Sequence, residues 1–162
     1  MDIHEIINRI YRMPEASADK VVKHLSKITY PKGYHILEAG KTETNIFFIE
    51  KGIAIPVDGK EVTFWIGKEG STIVSLKSYV NNQQGYESME LMENSVLYLL
   101  KRKDLHELFK EDIHIANWGR KFAESEFLQT EERLISLLFT TASERYMKLI
   151  QNNPELLQRI PL

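Results

Sequence analysis

Five histidines and many carboxylates are the side chains of this 162-residue sequence with the most evident capacity for chemistry. A metal or catalytic site commonly places histidines at fixed intervals, as in H-x-H or H-E-x-x-H, because two ligands must reach one ion. No such spacing relates His4, His24, His35, His106 and His114. A metal enzyme built on a small β-roll would need a histidine pair and a glutamate on neighbouring strands, and His35 stands alone in the strand-rich part of the sequence. The histidine pattern therefore disfavours a metal-dependent enzyme and predicts no metal ligands.

Other catalytic signatures are also missing. The sequence contains no cysteine, which excludes thiolate zinc sites, iron–sulfur clusters and cysteine nucleophiles. It contains no G-x-S-x-G, no P-loop and no G-x-G-x-x-G. The glutamates of one long helical stretch lie among basic residues, a pattern typical of a solvated face: Glu124, Glu126, Glu131 and Glu132 beside Lys121 and Arg133. We therefore predict a protein that is not an enzyme, with no catalytic residue and no evident cofactor.

Composition limits the partners. Apolar residues make up 43% of the sequence and charged residues 27%, which is typical of a globular domain. A net charge of −2 argues against a nucleic-acid-binding surface within these residues, since such surfaces are normally basic. The N-terminal apolar run carries charges, unlike a signal peptide, and no apolar stretch has membrane-spanning length. The predicted location is the cytoplasm, without a membrane partner.

The longest predicted element is a helix over 113–138, which would position any site on the preceding residues. Residues at alternating three- and four-residue spacing form an apolar seam broken by one arginine and one threonine, as in a coiled coil: Ile113, Ala116, Arg120, Ala123, Phe127, Thr130, Leu134 and Leu137. We predict that this seam packs on a second copy to form a homodimer. A separate strip of Ile115, Trp118 and Phe122 is predicted to pack on the preceding domain. The alternative is one broad stripe facing a single core.

The residues before this helix show helical periodicity first and strand patterns afterwards. A first helix is predicted from the spacing of Ile3, Ile6, Ile7 and Ile10 and ends near Pro14, and a second begins at a cap at Ser17. Further helices are predicted over 102–109 and, after the long helix, over 143–152. Short β-type runs lie at 34–37, 45–50, 53–57, 61–66, 88–92 and 96–100. Asp58-Gly59 predicts a hairpin turn, and Gly33, Gly40 and Gly52 are predicted to supply positive φ angles. This order predicts an α+β fold, an antiparallel β-roll flanked by N-terminal helices and a long C-terminal helix.

Three segments carry a family resemblance: P-K-G-Y-H-I-L-E-A-G-K (31–41), F-F-I-E-K-G (47–52) and T-A-S-E-R-Y-M-K-L-I-Q-N-N-P-E-L-L-Q-R-I-P-L (141–162). Together with the long helix they resemble the sensor half of Crp/Fnr transcription regulators of the Bacteroidetes type. The resemblance implies a cyclic nucleotide-binding-domain-like sensor over 1–110, a dimerisation helix over 111–140 and the start of a linker over 141–162. It implies that a helix-turn-helix domain follows, which these residues lack.

The resemblance predicts the effector-sensing and dimerisation region of a bacterial transcription regulator, in contact with DNA only through the absent helix-turn-helix. The alternative is a standalone module that regulates a partner protein.

The resemblance also bears on cyclic nucleotides. Family members that bind cyclic AMP have a Gly-Glu pair followed by an Arg-Ser/Thr-Ala triplet, whose arginine contacts the phosphate. By position, Val74-Ser75 replaces the pair and Glu87-Ser88-Met89 replaces the triplet. An opposite-charge pair about 4 Å apart gains about 4 kcal/mol at an effective dielectric constant of 20. With Glu87 in place of the arginine, this attraction to the phosphate becomes a repulsion. We therefore predict no useful binding of cyclic AMP or cyclic GMP.

The same stretch supplies the candidate ligand pocket, which is more apolar than a phosphate site: Val74, Ser75, Leu76, Lys77, Tyr86, Glu87, Ser88 and Met89. A small-molecule effector, whose identity the sequence does not specify, would bind there. Alternatively, these side chains simply fill the roll.

Overall fold

The computed structural model describes residues 1–57 and 65–160. In chain order the helices are α1 (Ile3–Ile10), α2 (Glu15–Lys23), α3 (Leu76–Asn81), α4 (Arg102–Glu111), α5 (Ile113–Phe139), α6 (Ala142–Asn152) and α7 (Leu156–Arg159). The strands are β1 (Ser26–Tyr30), β2 (His35–Leu37), β3 (Ile46–Lys51), β4 (Ala54–Pro56), β5 (Thr72–Ile73), β6 (Met89–Leu91) and β7 (Ser95–Leu100).

Two antiparallel sheets form a β-roll. Their strand orders are β1-β7-β3-β5 and β2-β6-β4. The sheets face each other across a buried cluster that includes Phe47, Ile49, Leu91 and Leu97. Each strand therefore contributes side chains to a shared interior, as expected for short strands with apolar residues.

Helices α1, α2, α4 and α5 cover the other side of the larger sheet. Ile7, Phe48, Leu105 and Trp118 lie in this second core. The Trp118 ring stacks on Phe122 with centroids 5.6 Å apart, and its Nε1 donates a hydrogen bond to the Ile7 carbonyl at 3.0 Å. The predicted packing of Ile115, Trp118 and Phe122 on the preceding domain is confirmed, since all three side chains are buried.

Gly52 occupies a position that no other residue suits. Its φ is +134°, and a Cβ there would lie 2.2 Å from the Ser95 hydroxyl. Gly33 and Gly40 also have positive φ, which confirms the predicted turns. Gly40 differs in that a Cβ would meet nothing within 4 Å.

The C-terminal segment folds back onto the roll. Leu156 and Ile160 pack on Ile53 of the β3–β4 turn. Helix α6 before them has a Thr141–Glu144 capping box and no buried residue. The end of α7 is thus fixed to the roll, whereas α6 is bordered mainly by solvent.

Some predicted elements differ from the structure. Ser17 does not cap α2, which begins at Glu15 after Pro14. Its hydroxyl instead donates to Asp112 at the start of α5, at 2.8 Å, because it lies inside the helix on the buried face. The sequence prediction missed β1, β5 and α3. The Asp58-Gly59 turn and most of the predicted 61–66 strand lie outside the described residues. Within the described ranges, no helix combines the length and apolarity needed to span a membrane.

Candidate ligand-binding site

A cavity of about 560 Å³ lies between the roll and the second half of α5. This volume is in the range of small-molecule sites, about 300–1,000 Å³. Its lining is mostly apolar, with four charged side chains: Pro56, Trp65, Val74, Ser75, Leu76, Lys77, Tyr86, Glu87, Glu126, Thr130, Arg133, Leu134 and Leu137. The cavity thus has walls from two parts of the chain, one between residues 56 and 87 and the other between residues 126 and 137 of α5.

All but two of the predicted pocket residues line this cavity. The exceptions are Ser88 and Met89. The Ser88 hydroxyl accepts a hydrogen bond from the Ala39 backbone N–H at 2.9 Å, and Met89 is buried between the sheets as part of β6. Both side chains therefore stabilise the β-roll. For these two residues the structure agrees with the alternative interpretation, in which the candidate pocket side chains fill the roll and bind no ligand.

A chain of hydrogen bonds fixes the floor of the cavity. The Ser75 hydroxyl donates to the Ser78 hydroxyl at 3.1 Å, which in turn donates to the Gln83 carbonyl at 2.7 Å. Gly85 packs so closely that a Cβ there would lie 2.6 Å from the Ser75 Oγ. These contacts hold α3, which carries Leu76 and Lys77, against the loop that follows it.

Arg133 reaches the cavity from α5. Its guanidinium lies over the Trp65 ring, 4.1 Å from the centroid, in a cation–π contact. Its Nε is buried and has no hydrogen-bond acceptor among the described residues. Burial lowers the pKa of Arg133, while the charges of Glu87, Glu126 and Tyr86 raise it. An arginine remains charged in such surroundings, so a cation borders the cavity.

Glu126 lies two helical turns before Arg133. Burial raises the pKa of Glu126 to about 7, and the positive charge of Arg133 offsets this only in part. The neutral form of this carboxyl is therefore populated at neutral pH. Glu126 also borders a second cavity of about 290 Å³, whose lining includes Arg9, Ser125 and Gln129.

The predicted seam of α5 lies largely on the surface. Ile113 is 69% exposed, Phe127 76% and Leu134 55%. Arg120 is exposed and pairs with Glu124 at 2.6 Å, Ala123 is exposed and Ala116 is partly buried. Thr130, Leu134 and Leu137 also line the cavity. The homodimer stays a prediction, and the structure adds that three seam residues border the ligand cavity.

Sequence reasoning missed several lining residues: Pro56, Trp65, Glu126 and Arg133. Its interpretation of Glu126 and Arg133 as part of a solvated face is wrong, because the roll partly buries both. Glu124, Glu131 and Glu132 do lie on an exposed face. The seven-residue separation of Glu126 and Arg133 places both on one side of the helix, which was the available signal.

The structure contains no candidate metal centre in the described ranges: no three histidine, aspartate or glutamate side chains gather closely enough there to hold an ion. The site is therefore described by its hydrogen-bonding, charged and apolar groups.

No family model matches the sequence, and no curated protein does. Solved structures do. A cyclic nucleotide-binding domain from Methylobacillus flagellatus KT is 16% identical, with a TM-score of 0.66 over 93% of this chain and 79% of that one. PKAR CBD2 bound to Sp-2Cl-cAMPS is 18% identical, with a TM-score of 0.67 over 87% and 90%. The fold is that of a cyclic nucleotide-binding domain.

This finding confirms the predicted fold class. The catabolite activator protein of Thermus thermophilus shares the fold as well, at 17% identity and a TM-score of 0.65 over 80% of this chain. This chain spans 62% of that protein. Within the cyclic nucleotide-binding domain fold, Glu87 lines the cavity, so a carboxylate borders the pocket at the position that the resemblance assigns to the phosphate-binding arginine.

Proposed function

We propose that these residues form the effector-sensing and dimerisation region of a Crp/Fnr-like transcription regulator that does not respond to cyclic AMP. The observation that supports this most directly is that three residues belong both to the cavity lining and to the predicted dimer seam. Thr130, Leu134 and Leu137 border the cavity and belong to the seam through which we expect α5 to pair with a second copy. A ligand in the cavity would thus touch the roll and the dimer helix together.

The physical basis is a two-state equilibrium. A ligand shifts such an equilibrium only if it binds one state more tightly. A ligand held by Ser75 and Lys77 on the roll and by Leu134 and Leu137 on α5 would favour the arrangement in which these groups converge. DNA-binding heads attached after the linker would then change their spacing, with no enzymatic step involved.

The exposed seam supports the dimer. Helix α5 has 27 residues, about 40 Å at 1.5 Å per residue, and several large apolar side chains lie on its surface: Ile113, Phe127, Leu128, Leu134, Ile135, Leu138 and Phe139. A group of exposed apolar side chains of this size, concentrated between Phe127 and Phe139, indicates an interface. A second copy of α5 would cover these side chains, because their heptad-like spacing repeats along the helix and lets two helices pack side by side.

The dimer is tested with Phe127→Asp, since a buried unpaired charge in the centre of a helix pair is costly. We expect the unmodified chain to sediment as a dimer and the variant as a monomer with unchanged helix content by circular dichroism. Lys121→Asp introduces the same side chain on the same helix away from the seam, and it should stay dimeric. A monomeric unmodified chain, or a dimeric Phe127→Asp, would contradict the proposal.

A second candidate is a module that regulates a partner protein. The match to PKAR CBD2 supports it, because it spans most of both chains. In that case the α5 seam would contact the partner, and the unmodified chain would be monomeric in the same sedimentation experiment.

A further inference from the structure

We propose that residues 65–69 couple the larger cavity to the C-terminal segment 153–160, so that a molecule that displaces Trp65 from the cavity wall releases this segment from the β-roll. The inference rests on the proposed function in one respect, namely that the cavity is a ligand site. It is carried by three observations: the place of Trp65 in the cavity wall, the contacts of the residues that follow it, and a hydrogen-bonded backbone pair between the two.

The first observation is that Trp65 lines both cavities. Its ring lies under the Arg133 guanidinium of α5, 4.1 Å from the centroid, and packs against the apolar cluster between the two sheets. A molecule that enters the space between the roll and α5 therefore meets this ring.

The second observation is that the residues after Trp65 contact the C-terminal segment. Ile66 packs against the cluster of Ile53, Leu156 and Ile160. Two adjacent residues therefore border two separate features, since Trp65 borders the cavity and Ile66 the C-terminal segment.

Polar contacts of the same stretch strengthen this attachment. Lys68 Nζ donates to Oδ1 of Asn153 at 2.6 Å and lies 3.5 Å from the Glu155 carboxylate. Glu69 accepts hydrogen bonds from both terminal nitrogens of Arg159, at 3.1 and 2.6 Å. Helix α6, which precedes this segment, has no buried residue, so the attachment to the roll depends largely on the contacts at 153–160.

The third observation is a backbone pair that joins the two ends of the stretch. Gly67 N–H donates to the Ala54 carbonyl at 2.9 Å, and Ala54 N–H donates to the Gly67 carbonyl at 2.8 Å. The Trp65 ring lies close to Gly67, since a Cβ there would be 3.5 Å from Cη2 of the ring. Ala54 directly follows Ile53, so a displaced ring disturbs packing beside the surface that holds the C-terminal segment.

The two states are a docked and a released C-terminal segment. A molecule that needs the ring to move binds the released state more tightly and shifts the population toward it. Because such coupling is reciprocal, release of the segment must also loosen the ring. The inference can therefore be tested from both ends.

The first test removes the ring. Trp65→Leu in the full 162-residue chain keeps residues 66–69, and we expect the backbone N–H groups of 156–160 to exchange with deuterium roughly tenfold faster or more. Tyr30→Leu is the matched control, since Tyr30 is also a partly buried ring packed against the cluster between the sheets. Unchanged exchange in Trp65→Leu, or an equal increase in both variants, would overturn the proposal.

The second test fills the cavity. The sequence has no cysteine, so Leu76→Cys supplies a single thiol in the cavity lining, and benzyl methanethiosulfonate attaches a benzyl group to it through a mixed disulfide. We expect the labelled chain to show the same faster exchange at 156–160. Val80→Cys with the same label is the control, because Val80 is on the same helix, 62% exposed, and not among the described lining residues. No change at 156–160 in the labelled Leu76→Cys chain would contradict the coupling.

The third test starts from the C-terminal segment. Arg159→Ala should make Trp65 more accessible to quenching by acrylamide, while the fully buried Trp118 contributes a constant background. Lys110→Ala is the control, since Lys110 pairs with Glu107 on an exposed surface and should leave quenching unchanged. Equal quenching in the unmodified chain and Arg159→Ala would show that the two ends are independent.

The outcomes separate this inference from the proposed function. If exchange at 156–160 does not respond to Trp65→Leu while Phe127→Asp converts a dimer to a monomer, the coupling is wrong and the dimerisation role is upheld. If exchange responds and the unmodified chain is a monomer, the coupling is upheld and the proposed dimer is wrong.

Discussion

Arg159 forms a two-point hydrogen bond with Glu69. Its Nη1 donates to Oε2 at 3.1 Å and its Nη2 to Oε1 at 2.6 Å. The same guanidinium also donates to Glu93, so the last helix is bound to two loops of the roll. Burial alone would raise the pKa of Glu69, but the hydrogen bond from Arg159 and the Gly52 backbone N–H lower it to about 2.

We expect Arg159→Ala to lower the free energy of unfolding by roughly 2 kcal/mol, since it removes the guanidinium donor that two partly buried carboxylates share. Arg159→Lys should recover only part of this loss because an ammonium cannot form the two-point contact. Urea denaturation of the three proteins measures the difference.

A matched control is Arg9→Ala. Arg9 pairs with Glu5 at 2.9 Å on an exposed helix surface, where such a pair contributes about 0.5 kcal/mol or less. Equal losses in the two alanine variants would show that the Arg159 contacts do not stabilise the fold.

The raised pKa of Glu126 should be visible in the pH dependence of the free energy of unfolding. Its pKa is raised from 4.5 to about 7 in the folded chain, so the folded state binds this proton more tightly than the unfolded state. Its contribution is therefore fully present below pH 4.5 and is lost as pH rises through 7. Relative to Glu126→Gln, the unmodified chain should lose on the order of 1–3 kcal/mol over this interval.

Four charged groups line the two cavities together with Glu126: Lys77, Glu87 and Arg133 in the larger cavity, and Arg9 in the smaller one. Denaturation curves from pH 4.5 to 8 test the effect. Parallel pH profiles for the unmodified chain and Glu126→Gln would contradict the raised pKa.

Gly52→Ala should be strongly destabilising. Alanine at φ +134° is strained and its Cβ would overlap the Ser95 hydroxyl. Backbone strain of about 1–3 kcal/mol and a packing cost of similar size add up to roughly 3 kcal/mol or more. Gly40→Ala is the control, with positive φ and open space, and should cost only about 1 kcal/mol. Thermal melts that shift equally would contradict the role assigned to Ser95.

Cyclic AMP and cyclic GMP should show no saturable micromolar binding by calorimetry, because Glu87 borders the cavity. Glu87→Gln removes the repulsion and should tighten any weak binding about tenfold. Glu90→Gln is the control, since Glu90 lies on β6 and faces His35 at 3.7 Å. Micromolar binding of either nucleotide by the unmodified chain would make the prediction wrong.

The sequence was most informative where a pattern extended over several turns. The 27-residue helix α5 and the buried strip of Trp118 and Phe122 were predicted because apolar periodicity accumulates over such a length. The six-residue α3 and two-residue β5 are too short to show a period, and β1 is partly exposed along its length. These elements were missed for that reason.

The cavity was predictable on one side only. The stretch from Val74 to Glu87 was identified through the family resemblance, because the family's nucleotide-binding motifs correspond to that stretch by position. Trp65 and Arg133 are 68 positions apart (133 − 65) in the sequence, and only the fold brings them together. The ion pair between Arg159 and Glu69 could not be predicted either, since no local sequence pattern indicates a contact between residues so far apart in the sequence.

The stacking of Arg133 on Trp65 gives the protein an optical reporter. The sequence contains two tryptophans. Trp118 is fully buried and its indole N–H is bonded to Ile7, so its emission should stay blue-shifted and constant. Trp65 lines the cavity beside a cation. Any change in intrinsic fluorescence when a small molecule enters should therefore originate at Trp65, and occupancy can be followed without attaching a dye.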